Sequence, residues 1–116
     1  MISPGISGRL VARAGEPVAF TSRDAVATES SVLFHTMPDG AATFSLEDGG
    51  WAYVSNSEAP GNSGGAFAIH FDRFGEAMDY KMLLGGTTRN CSGGKTPHHS
   101  WISCEETEGG HCWQVS

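Results

Sequence analysis

Positive charge is scarce in this sequence, and long apolar runs are missing from it. Seven lysines and arginines are scattered among thirteen acidic residues, for a net charge of −6. That balance cannot build the basic footprint on which recognition of a phosphate backbone depends. Nucleic acid and anionic membrane are excluded as partners on this ground. No stretch is long enough to span a bilayer, and Met1 to Gly8 has no basic segment followed by an apolar run, so neither a membrane span nor an export signal is visible. The polar stretch from Thr21 to Ser31 also lacks a sustained helical period, and only Gly75 to Tyr80 could be argued as a helical turn. There is no Cys-x-x-Cys or His-x-x-x-His pair, the spacings that structural zinc sites commonly show.

What is present reads as a turn-rich β protein. Hydrophobic residues make up 39% of the chain and charged residues 17%, with 16 glycines and 5 prolines among 116 residues. A body of this length is one domain at most and buries about two thirds of its unfolded surface. Residues 1–31 read as a leader segment with short β-prone pieces such as Pro17-Val18-Ala19-Phe20. After Ser31 short apolar runs alternate with turn signals: Val32 to Phe34, a Pro38-Asp39-Gly40 turn, Ala42 to Ser45, an Asp48-Gly49-Gly50 turn, and Trp51 to Ser55. A glycine-rich loop from Gly61 to Gly65, a strand from Ala66 to Phe71, a turn at Asp72-Arg73-Phe74-Gly75 and a strand from Met78 to Leu84 continue the series.

A repeat runs through this series. Trp51-Ala52-Tyr53-Val54-Ser55-Asn56-Ser57-Glu58, then Gly64-Gly65 and Ala66 to Ile69, recurs as Trp101-Ile102-Ser103-Cys104-Glu105-Glu106, then Gly109-Gly110 and Cys112 to Val115. Ser55 and Ser103 are 48 residues apart, as are Glu58 and Glu106. That period suits one four-stranded propeller blade of about 40 to 50 residues. The fold class expected is therefore all-β, with residues 32–116 forming about two blades of an incomplete β-propeller. A stable stack needs about three repeats and a closed ring about four, so edge strands open to pairing with other chains are expected.

Reactive side chains are densest between Gly85 and Glu106. Glycines around Asn90-Cys91-Ser92 suggest a folded-back loop whose N–H groups converge on an anion, with Cys91 at its tip. A thiolate there is a candidate nucleophile, soft metal ligand or redox group, against the plain alternative of an inert half-buried thiol. Glu105 and Glu106 end a strand, so their side chains point to opposite faces and one of them can face a site.

The run Asn90-Cys91-Ser92-Gly93-Gly94-Lys95-Thr96-Pro97, followed by Trp101-Ile102-Ser103-Cys104-Glu105-Glu106, resembles the signature of PhoX-type alkaline phosphatases. His35 to Gly40, Gly49-Gly50-Trp51, Tyr53 to Glu58, Phe71-Asp72 and Leu84 to Thr87 agree with it, so the resemblance spans about Leu33 to Val115. It implies a six-bladed propeller whose central face holds iron and calcium and hydrolyses phosphate monoesters. Cys91 would be an iron ligand and Glu105 or Glu106 a metal ligand, with Asn56 and Glu58 as further oxygen ligands. Cys91 and Glu105 are the candidates for a direct part in catalysis. Family members are often exported. His98-His99 departs from the family pattern, where Thr-Pro is usually followed by Trp-Gly or a similar pair.

Three other readings stay open on sequence. Cys91, His98, His99, Cys104, His111 and Cys112 fall in one segment and could hold zinc. Cys104 and Cys112 lie symmetrically about the Glu108-Gly109-Gly110 turn and could form a disulfide across a hairpin. Cys91 could act as a hydrolase nucleophile with His98 or His99. Against all of these stands a non-catalytic β-rich fragment or interaction module with open edges.

Overall fold

The computed structural model describes residues 3–116; the first two residues of the expected leader lie outside it. The described chain is all-β and contains no helix, hence none long and apolar enough to cross a membrane. Nine strands form three antiparallel sheets. A ribbon pairs β1 (Pro17–Ala19) with β2 (Glu29–Leu33). Next come β3 (Pro38–Ser45), β4 (Trp51–Ser57), β5 (Gly64–Phe71) and β6 (Ala77–Thr87), laid side by side in chain order as a four-stranded meander. A second meander holds β7 (Asn90–Lys95), β8 (Trp101–Glu105) and β9 (Cys112–Val115).

The strand β5 shows why the larger sheet is buried on both sides. Successive side chains point to opposite faces. Phe67, Ile69 and Phe71 therefore join Val18, Phe34, Ala77 and Tyr80 in one core, while Ala66 and Ala68 face a second core with Phe44, Val54 and Trp101. Large residues line the first face and small ones the second, which lets β7–β9 approach closely. The region before Ser31 is part of this packing: Val18 is fully buried, and Ser22 Oγ donates to Asp72 Oδ2 at 2.7 Å.

The two meanders share one plan. Both open with a five-residue hairpin turn closed by the same bond, Leu46 N to Gly50 O at 3.0 Å and Thr96 N to Ser100 O at 2.9 Å. In both, the residue just before the first strand, Met37 or Arg89, has positive φ, 49° and 52°. In both, the carbonyl of that residue accepts from the glutamate after the second strand: Glu58 N to Met37 O at 2.9 Å, Glu106 N to Arg89 O at 2.8 Å.

Two local expectations change. Pro38-Asp39-Gly40 is not a turn but the start of β3, and Asn90 to Gly94 is not a loop but part of β7. Composition misled because Gly93 in β7 serves close approach rather than turning. A Cβ on Gly93 would lie 1.8 Å from Ile102 O and 2.9 Å from the Trp101 ring. No anion nest forms there, and Cys91 sits in a strand rather than at a loop tip.

Candidate metal centre

β3 and β7, the first strands of the two meanders, run next to each other at the junction of the sheets. Gly40 makes this possible, because a Cβ there would stand 2.7 Å from Cys91 O. Asn56, on β4, fastens the seam. Its Nδ2 donates to Ser92 O at 3.0 Å and Cys91 O at 3.3 Å, and its Oδ1 accepts from Trp101 Nε1 at 2.9 Å and Ser103 Oγ at 2.8 Å. Ser103 Oγ accepts in turn from Asn90 Nδ2 at 2.9 Å, and Asn90 Oδ1 accepts from Thr87 Oγ1 at 2.5 Å. Asn56, Asn90 and Ser103 are wholly buried, so this network is the polar core of the junction.

One end of the seam brings together three side chains able to ligate a metal, two carboxylates and a thiol. Ligand atoms of Asp39, Glu58 and Cys91 all lie within 4.8 Å of one another, with Asp39 exposed and the other two partly so. Asp39 and Cys91 are equivalent positions, each the second residue of its meander's first strand, and Glu58 is the post-strand glutamate of the first meander. Its counterpart Glu106 also reaches this group. Glu106's carboxylate, as hydrogen-bond acceptor, is the main reason the Cys91 thiol is pushed up to about 11, with burial and Asp39 adding to it. The Glu58 carboxyl is raised above its ordinary range by partial burial first, then by its bond to Asp39 and the charges of Asp39 and Glu106, with Arg89 opposing. Negative charge is thus in excess at this point, and a bound cation would relieve it. The donor set, a thiol beside converging carboxylates with Arg89 as the cation acting on them, is chemically able to hold a metal ion.

The remaining candidates sit elsewhere. Asn56 is adjacent, but both ends of its amide are engaged in the seam. Glu105 faces away from Glu106, as strand alternation requires. Its Oε1 accepts from Thr88 N at 2.7 Å and its Oε2 from His111 N at 2.9 Å and Trp113 Nε1 at 3.4 Å. The N–H groups of His111 and Thr88 hold its carboxyl below the usual range. It clamps the β6–β7 connection to the β8–β9 hairpin.

Cys104 and Cys112 face each other in register and form a disulfide, which removes both thiols from the zinc set considered above. Cys91 is the free cysteine. His98 and His99 lie in the β7–β8 turn, exposed and at the far end of β7 from Cys91, so a Cys91–histidine pair does not form. Asp39 was hidden in the sequence by its turn-like neighbours; its place 52 residues before Cys91, matching Met37 to Arg89, is the signal that marks it.

No curated protein and no solved structure matches the chain. Residues 72–115, from the β5–β6 turn through β9 and including Cys91, Glu105 and Glu106, match the family model of alkaline phosphatase PhoX, so this stretch is similar to part of that family.

Proposed function

We propose that this chain contributes part of the metal site of a phosphate-monoester hydrolase, with Cys91, Asp39, Glu58 and Glu106 as its ligands. The observation that carries the reading is the convergence of Asp39, Glu58 and Cys91 within 4.8 Å at the seam of two repeated sheets. Iron suits the thiolate and calcium suits the carboxylates. Bound metal would act as a Lewis acid on phosphoryl oxygens. The protein's own part is to fix the donors: the Met37 and Arg89 carbonyls hold the two glutamate backbones, and Asn56 holds the Cys91 backbone. Glu105 acts from behind, keeping the β8–β9 hairpin against the β6–β7 connection that leads into the strand bearing Cys91. The shared plan of the two meanders, their first strands adjacent, favours consecutive blades of a propeller with the donors on its central face.

The test is elemental analysis of protein purified without chelator, beside Cys91→Ala and Asp39→Ala variants. Iron and calcium are expected in the parent and at least a several-fold loss of iron in Cys91→Ala. Metal-free parent protein with intact β-structure would sink the reading for this chain.

A further inference from the structure

Arg89 differs in charge from the donors it adjoins. It is the residue before β7, two positions from Cys91, and its backbone is tied to both glutamate segments. Arg89 N donates to Ala59 O, next to Glu58, at 3.0 Å, and Arg89 O accepts from Glu106 N at 2.8 Å. Its φ of 52° matches the 49° of Met37, so the two meanders hold one backbone conformation at this position and differ only in what it carries, a thioether in the first and a cation in the second. The Arg89 side chain is exposed, and among the described residues its guanidinium makes no ion pair. Its charge is nevertheless felt at Glu58, where it opposes the rise of the carboxyl. Neutralisation alone would be served best by closing an ion pair with one of the neighbouring carboxylates. Arg89 instead acts on them from a distance and keeps its five N–H donors for another acceptor.

An anionic substrate arriving here meets Asp39, Glu58 and Glu106 on a chain of net charge −6, so its recognition needs a cation that these groups have not consumed. A guanidinium offers two parallel N–H donors that match two oxygens of one phosphoryl group, and it stays charged at every working pH. Resting on the metal-site reading above, we infer that Arg89 is the substrate-recognition residue of the proposed hydrolase: its guanidinium holds two non-bridging oxygens of the phosphoryl group and thereby selects phosphate monoesters over diesters. The selection follows from counting oxygens. A monoester has three non-bridging oxygens, so one is left for the metal after the guanidinium has taken two. A diester has only two, and the guanidinium and the metal would compete for them. Met37 supplies no such donors from the equivalent place in the first meander, so recognition of the phosphoryl group comes from the second.

The probes are inorganic phosphate and dimethyl phosphate, titrated calorimetrically into the full chain purified without chelator, with metal content measured on the same samples. Arg89→Met is the variant of choice, because Met37 already occupies this backbone conformation, so the charge is removed without new strain. The parent is expected to bind phosphate more tightly than dimethyl phosphate. In Arg89→Met, phosphate binding should weaken by about ten- to a hundred-fold, the range for charge-assisted hydrogen bonds, while dimethyl phosphate binding and metal content stay close to the parent's. Arg89→Lys should recover part of the loss, since it restores the charge but not the paired donors. Undiminished phosphate binding by a metal-replete Arg89→Met protein would overturn the inference and leave the phosphatase reading standing. Loss of metal from Arg89→Met would overturn it as well, by assigning Arg89 to the upkeep of the donor group rather than to substrate. A parent that carries no metal fails the phosphatase reading before any phosphate is added, and the inference falls with it.

Discussion

The meander β3–β6 and the meander β7–β9 follow one backbone plan but are held by different chemistry. The first lies between two apolar cores, with Val18, Phe67, Ile69, Phe71 and Tyr80 on one side and Phe44, Val54 and Trp101 on the other. The second has little apolar volume of its own; Trp101 is its buried hydrophobic residue. It relies on the Cys104–Cys112 disulfide, the Glu105 clamp and the Asn56–Ser103–Asn90 network. A repeated fold does not need a repeated core, provided that covalent and polar staples replace the missing burial.

The largest break in this comparison is expected from Phe67→Ala. Phe67 stacks on His35 with ring centroids 4.6 Å apart and lies in the first core, so its truncation should cost about 3–5 kcal/mol, read as a fall in the urea midpoint. Reducing the disulfide should cost about 2–3 kcal/mol. The loss should appear as faster amide exchange in β9, with β4 and β5 changed far less.

Acid should strike the first meander before the second. Burial lowers the pKa of His35 to about 4 from 6.5, and its ring lies between Ser55 Oγ, 2.9 Å from Nε2, and the Tyr80 hydroxyl, 3.1 Å from Nδ1. Below pH 6.5 the unfolded chain takes up this proton first, so stability is complete above that value and is lost as pH falls toward 4. By pH 5 the loss is about 2 kcal/mol, measurable as a shift in urea midpoint between pH 7.5 and 5 that His35→Phe should flatten. Glu105→Gln should give the smallest effect. Its depressed pKa means that its contribution is present at neutral pH and fades only as pH falls below the ordinary carboxylate range. A slight drop in Tm with metal content unchanged would separate this clamp from the Cys91 group.

The sequence made the strands of the first meander legible because alternation and turn residues agree there, as in Trp51 to Ser55 and Ala66 to Phe71. It also exposed the pairing of Glu58 with Glu106 and of Cys104 with Cys112, because each depends on spacing along the chain. β7 was illegible because asparagine, serine and glycine mark loops by composition, whereas here they fit a strand pressed against Ile102 and Trp101. The role of Asn56 was hidden for a different reason: its four partners come from the other meander, and contact between sheets leaves no local trace. Asp39 combined both difficulties.

Gly40 gives the junction a gauge. Its φ is not in the left-handed region, so alanine is conformationally acceptable there; what forbids a larger residue is the Cys91 carbonyl, 2.7 Å from where a Cβ would stand. The separation between the Asp39 carboxylate and the Cys91 thiol is thereby set by one missing carbon atom beside them. A single methyl at position 40 would work as a wedge at the fulcrum of the two sheets, levering their donor-bearing ends apart while leaving every donor in place.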